Sequence, residues 1–267
     1  MTLSKNNAVK LIRSLFSLFL IYIGVQFLSV FIALPFMLVF SLLLKQNLFD
    51  ETSSSLHYLI LACTSQIVSI YFFAKIYREK DFNITKIHNH MSLKTLGKYA
   101  LISLGASGIS VLWIFLAEFL SNYFPLIKNS LERLIEHNSI FNGGPILAFI
   151  SVVILAPIVE EIIFRGVIFN EVAKYKGGAF PVIISALLFG LAHGEPVQIV
   201  YAFIGGLVLG FVYSKTHSLP IVMFLHMLNN LLSTFPDSLS TIINTVQILC
   251  IIPMIYFLIK LYKKNTI

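Results

Sequence analysis

Ala156-Pro157-Ile158-Val159-Glu160-Glu161-Ile162-Ile163-Phe164-Arg165-Gly166 places two carboxylates and a guanidinium inside an apolar run that extends over residues 146–173. A run of that length can cross a bilayer, for which roughly 20 mostly apolar residues suffice. Charges at such a depth are expensive and mark function by default. The surrounding sequence decides whether lipid is the solvent. Hydrophobic residues make up 57% of the 267 residues and charged residues 12%, and the mean hydropathy is +0.87. Soluble domains carry about twice that charged fraction. A chain this apolar cannot cover its surface with polar groups, so lipid takes that place.

Moving outward, eight apolar stretches are expected to form membrane helices, over residues 15–43, 56–74, 99–123, 146–173, 181–193, 196–213, 220–235 and 239–261. The expected fold class is therefore all-α, a polytopic transmembrane bundle of about eight helices. The fifth and seventh stretches are short. Pro181, Pro196 and Pro220 stand where helices begin, a position at which a missing N–H costs nothing. Basic residues check the count independently. Lys5, Lys10 and Arg13 precede the first span, and Lys75, Arg78, Lys80, Lys86, Lys94 and Lys98 follow the second. Lys174 and Lys176 follow the fourth, Lys215 the sixth, and Lys260, Lys263 and Lys264 close the chain. In the alternate loops Lys45 stands with Asp50 and Glu51, and Lys128 and Arg133 stand with Glu132 and Glu136. Both termini in the cytoplasm satisfy the positive-inside rule at every loop. The net charge of +7 follows this anchoring pattern, so no nucleic-acid partner is expected and the lipid bilayer is.

The uncharged stretch from Ser14 to Leu44 far exceeds the apolar region of a signal peptide and is expected to be a first transmembrane helix. Cys63 and Cys250 lie in apolar runs and make no disulfide framework. Residues 126–141 are expected to lie amphipathically on the outer interface. Gly206 and Gly210 form a GxxxG pair that allows close helix packing.

Three spans carry polar residues at one depth. Glu160 lies ~20 Å inward from residue 173, and His193 ~18 Å inward from Pro181. His226 and Asn230 lie ~9 and ~15 Å inward from Pro220. Glu161 and Arg165 are i,i+4 and face each other in the favourable acid-before-base order. Glu160 points ~100° away and lacks that partner, which suits a general base. His193 and Glu160 are placed to share and activate a water. His226 and Asn230, again i,i+4, are placed as donors to an oxyanion. Pro157 is expected to kink the helix at the site. Glu160, His193 and His226 equally offer the carboxylate and two imidazoles of a hydrolytic zinc site. Both chemistries stand open. His57, His88, His90, His137 and His217 fall in expected loops or helix ends, and the solvated reading is preferred for them.

The three motifs Glu160-Glu161-x-x-x-Arg165, Phe189-x-x-x-His193 and His226-x-x-x-Asn230 resemble, in order, the signature of the CAAX-protease and bacteriocin-processing family, which includes the type II CAAX prenyl endopeptidases. The resemblance covers residues 146–235, the expected catalytic core. Residues 1–145 supply N-terminal helices without a specific likeness, and residues 236–267 a last helix and basic tail. The resemblance implies intramembrane endopeptidase activity on a peptide or protein reached from the cytoplasmic face. It implies water-activating roles for Glu160 and His193 and oxyanion-stabilising roles for His226 and Asn230. Glu161, Arg165 and Phe189 stand as supporting residues. Members are described both as glutamate-type and as metalloproteases, so a divalent metal such as zinc is implied as one alternative. Competing readings are a non-catalytic scaffold or bacteriocin-immunity protein, which would not need Glu160 chemically, and a small transporter using the carboxylates as a proton relay. Transporters show paired halves, and no internal repeat occurs here.

Overall fold

A backbone in lipid must satisfy its own N–H and C=O groups, which only helices and closed barrels do. Accordingly, every element among the described residues is a helix. The computed structural model of the protein describes residues 4–44, 51–80, 93–138, 144–235 and 237–264. Lys45, Asp50, Lys86, His88 and His90 lie outside them. Helix α1 spans Lys5–Leu44, α2 Glu51–Glu79, α3 Leu93–Ser121 and α4 Pro125–Asn138. The long element α5 runs over Pro145–Ala173 with two π-helical interruptions. Helix α6 spans Phe180–Leu191, α7 Pro196–Thr216, α8 Leu219–Leu232, α9 Asp237–Leu249 and α10 Ile251–Lys264. Among the described residues six stretches are long and apolar enough to cross a membrane, with α6 and α8 as shorter apolar helices between them. The chain is a multi-pass integral membrane protein with an all-α bundle.

Boundaries differ from the expected ones in two informative places. The stretch expected as one helix over 239–261 is divided at Cys250. Pro253 has no N–H for the carbonyl of Leu249, four residues before it, yet Cys250 N–H still bonds the Val246 carbonyl and Met254 N–H that of Cys250, both at 3.0 Å, so residues 238–263 remain one apolar span. Helix α6 ends at Leu191, so His193 sits just beyond the helix on a turn.

Side-chain contacts show which helix ends gather together. Ser14 on α1 and Lys80 just after α2 both bond Glu171 near the end of α5, at 2.8 Å each. Asn170 bonds the Tyr213 hydroxyl near the end of α7, and Lys215 lies 4.8 Å from the Tyr262 ring centroid on α10. The start of α1 and the ends of α2, α5, α7 and α10 thus share one end of the bundle, the end rich in lysine. At the opposite end, α4 packs over the turn between α6 and α7. Helix α1 packs along α2 and leaves much of its large apolar surface exposed, as a lipid-facing helix does.

Candidate active site

Helix α5 is built as α-helix Pro145–Phe149, π-helix Ile150–Leu155, α-helix Ala156–Glu161, π-helix Ile162–Phe169 and α-helix Asn170–Ala173. The kink expected at Pro157 is therefore a change of register. The Ala156 N–H bonds the Ser151 carbonyl, five residues back, and so is not given to Val152. Pro157, next in that register, has no N–H to offer. The Val152 carbonyl is left without a donor from its own helix, and Asn230 Nδ2 on α8 supplies one at 2.9 Å. The second π segment is stitched in the same manner. Asn170 Nδ2 stands 3.1 Å from the Arg165 carbonyl, 2.7 Å from that of Gly166 and 2.9 Å from the Tyr213 hydroxyl. Single-turn π interruptions concentrate at functional sites. Here Glu160 and Glu161 occupy the short α-helical turn between two of them.

The two glutamates have opposite surroundings. The Glu161 side chain is fully buried, and its Oε1 accepts hydrogen bonds from Arg165 Nη1 at 2.7 Å and from His226 Nδ1 at 2.8 Å. Arg165, also fully buried, donates from Nη2 to the Gly206 carbonyl at 3.1 Å. Glu161 Oε2 and Arg165 Nε find no partner among the described residues. Glu160 keeps 28% of its side chain exposed, and its Oε2 stands 3.6 Å from His226 Nε2. His226 thus lies between the carboxylates. Because Glu161 accepts from Nδ1–H, the neutral ring presents its Nε2 lone pair toward Glu160.

An aromatic ring ties the remaining residues to this cluster. Phe189 on α6 packs edge-on against His226 at 5.6 Å between centroids and against His193 at 4.9 Å. Its face lies 4.6 Å from Arg165 Cζ, a favourable stacking of guanidinium on a ring. Helix α6 comes this close because α7 presents glycine. A Cβ on Gly206 would stand 3.1 Å from both Ala186 Cα and Phe189 Cδ1, so the GxxxG pair is a real packing seam. His193 Nδ1 lies 2.8 Å from the Phe189 carbonyl, which as an acceptor fixes Nδ1–H and leaves Nε2 available. The turn after His193 uses Gly194 at φ 79°, a conformation that favours glycine. Outside it, Trp113 Nε1 donates to the Val197 carbonyl at 2.9 Å and Ser130 Oγ accepts the Val197 N–H at 3.1 Å. Arg133 on α4 makes a two-point bond to Glu195 at 2.8 and 2.9 Å. Those bonds hold the Glu195 carboxyl below its usual range.

Glu160, Glu161, Arg165, Phe189 and His226 thus form one contact network. The arrangement differs from the sequence expectation in three respects. Asn230 does not stand beside His226 as a free donor pair, because one of its N–H groups satisfies Val152. Glu160 lacks the Arg165 partner as expected, but the unforeseen His226 reaches it. His193 is joined to the network through the Phe189 ring and shows no hydrogen bond to Glu160 among the described residues. The zinc alternative required Glu160, His193 and His226 to converge. Among the described residues no three His, Cys, Asp or Glu side chains do so, so the arrangement does not fit a three-ligand metal site. His57 also differs from expectation, being buried within α2 with its Nε2 2.7 Å from Ser41 Oγ. Asn170, Tyr213 and the Val152 carbonyl went unread in the sequence. Asn170 alone left a signal there, as an amide one turn beyond Arg165 in an apolar run.

Comparison with known proteins bears on the same segment. Residues 142–232 match the family described as type II CAAX prenyl endopeptidase Rce1-like, and this segment contains all three motifs. YdiL of Bacillus subtilis (strain 168), which carries the name of a membrane peptidase, is 25% identical over 134 residues, covering 46% of this chain and 54% of that protein. MroQ of Staphylococcus aureus (strain USA300), named a membrane-embedded CAAX protease, is 36% identical over 92 residues, covering 32% of this chain and 37% of that protein. The matches thus span about half or less of those relatives' own length. No solved structure matches the chain.

Proposed function

We propose that this chain, whose residues 142–232 match the Rce1-like family, is an intramembrane endopeptidase that hydrolyses a peptide bond of a membrane-associated protein or peptide. The observation that carries this reading is the asymmetry of the glutamate pair. Glu161 is buried and bonded to Arg165 and His226, while Glu160 is partly open and faces the free nitrogen of that same His226. A water between Glu160 and His226 loses its proton to the Glu160 carboxylate as its oxygen attacks the scissile carbonyl carbon. Glu161 plays an orienting role, fixing the His226 tautomer as a buried carboxylate does in a catalytic triad. The proton held by Glu160 then passes to the leaving nitrogen as the C–N bond breaks. The second Asn230 N–H is the candidate donor for the developing oxyanion, and His193 can join it only when protonated at Nε2. We assign the lysine-rich end to the cytoplasm on the positive-inside rule.

A metal-dependent variant has one feature in its favour. Both imidazoles have Nδ1 engaged by an oxygen acceptor, the orientation found in metal-ligating histidines. Because the three side chains do not converge, no step is routed through a metal. Elemental analysis of active, detergent-purified protein separates the two. Well under one metal per chain is expected, with His226→Ala slowing turnover by roughly 10²–10⁴-fold because the attacking water loses the group that faces Glu160. A stoichiometric metal that disappears in Glu160→Gln, His193→Ala and His226→Ala alike would overturn the metal-free mechanism.

A further inference from the structure

Helix α8 is held on two faces. His226 and Asn230 look toward α5, where they meet Glu161 and the Val152 carbonyl. Leu225 and Asn229, ~100° round the helix, meet α3 instead. There the Ser103 hydroxyl donates to the Leu225 carbonyl at 2.7 Å. The Ser107 hydroxyl, 3.2 Å from the Ser103 carbonyl of its own helix, donates to Asn229 Oδ1. Both serines are buried. The far side of α3 is fixed as well, since Gly105 and Gly108 lie on average ~150° round from the two serines. A Cβ on Gly105 would stand 2.6 Å from the Cys250 carbonyl oxygen, and one on Gly108 2.6 Å from the Gln247 carbonyl carbon. The junction of α9 and α10 therefore lies directly against the α3 backbone. Further along α3, Trp113 bonds the Val197 carbonyl, four residues beyond His193. One helix thus touches the carriers of His193, His226 and Asn230, and it lies outside the matched segment 142–232.

We propose that Ser103 and Ser107 are positioning residues, which set the rotation of α8 from behind so that His226 meets both glutamates. This rests on the hydrolytic reading of Glu160 and His226. The bonds from α8 to α5 run through the His226 and Asn230 side chains, the same groups that serve the reaction. The α3 bonds grip a backbone carbonyl and an amide that have no part in it, so they hold while the chemistry proceeds. Side chains reach ~5–6 Å from a helix axis, so turning α8 by ~10° moves the imidazole by about 1 Å. A misplacement of that size costs roughly a hundredfold in rate. The rival account is that the serines merely glue α3 to α8, as polar groups do between membrane helices. Glue would serve at any turn of the pair. Here the two bonds fall on Leu225 and Asn229, the residues immediately before His226 and Asn230.

The test measures cleavage of a membrane-inserted peptide by the reconstituted full chain, together with the nitrogen-15 spectrum of its histidines. His226→Ala identifies the His226 signals in that spectrum. Ser103→Ala combined with Ser107→Ala should lower kcat about 10–100-fold with KM little altered. The same variant should shift the His226 Nδ1 and Nε2 signals, as the bond to Glu161 that fixes the tautomer is disturbed. Ser69→Ala removes a similarly buried hydroxyl, bonded to Gln26 between α1 and α2. It should lower the melting temperature while leaving kcat and the His226 signals unchanged. If the double variant does not fold, Asn229→Ala, at an exposed residue, is read in the same way. Unmoved His226 signals, or an unchanged kcat in a chain that cleaves, would make the serines interhelical glue and overturn the positioning role. Shifted signals in a chain that never cleaves the peptide would support the positioning role while removing the proposed activity.

Discussion

Helices α1 and α5 both cross the membrane layer with a proline inside them, yet only one is broken. Helix α1 continues through Pro35 as 40 residues of regular helix, whereas α5 shifts register on both sides of the turn that starts with Ala156-Pro157. The difference lies in what surrounds them. Helix α1 turns most of its circumference to lipid, where a displaced carbonyl would find no donor. Helix α5 is enclosed by α2, α6, α7 and α8, and side-chain amides from Asn230 and its own Asn170 meet the freed carbonyls. Irregular backbone at membrane depth is tolerated only where protein satisfies it. The same enclosure lets α5 hold an ion pair with no solvent exposure. Position in the bundle therefore decides whether a proline is absorbed or becomes the frame of a site.

The strongest way to break that contrast is to unbalance the enclosed charges. Arg165→Leu leaves Glu161 buried without its guanidinium and should cost about 3–5 kcal/mol, read as a large drop in melting temperature in detergent. A melting temperature within a degree of the unsubstituted chain would mean that Glu161 is not buried as described.

A smaller effect sharpens the account of the broken register. Asn230→Leu removes the donor to Val152 and should cost about 1–3 kcal/mol, the penalty of an unsatisfied buried carbonyl. Pro157→Ala restores an N–H within reach of that carbonyl. In its background the cost of Asn230→Leu should shrink, giving a measurable coupling in a double-mutant cycle. Strictly additive costs would show that Asn230 and Pro157 do not act on the same carbonyl.

The smallest effect is expected at the rim, where α4 meets the turn after His193. Arg133 and Glu195 are half-exposed or nearly so, and solvent screens such pairs. Glu195 titrates below its unfolded value, so its contribution is present above about pH 4.3 and fades as pH falls through the folded value. Arg133→Ala should therefore lower the melting temperature slightly at pH 7 and by less at pH 3. An equal loss at both pH values would show that Arg133 acts by packing alone.

The sequence made the bundle legible because hydropathy and lysine placement answer directly to the membrane. The Glu161–Arg165 pair was legible for a similar reason, since i,i+4 spacing on one helix is local geometry. The partners of His226 and Asn230 were not, because they depend on how α8 is rotated against α5. Spacing on α8 puts both residues on one face, but it does not say that one meets a carboxylate and the other a carbonyl. The π segments were hidden for a related reason. A register shift depends on donors from distant parts of the chain, and Pro35 shows that proline alone does not produce one.

The central claim is that Glu160, on the turn between the π segments, activates water for peptide hydrolysis. The most direct measurement is cleavage of a membrane-inserted peptide by purified, reconstituted protein in water enriched in oxygen-18, followed by mass spectrometry of the fragments. The account predicts one heavy oxygen in the new C-terminal carboxylate, with the fragment absent when Glu160→Gln replaces the wild-type chain at a normal level of folded protein. Unlabelled product, or full cleavage by Glu160→Gln, would contradict it.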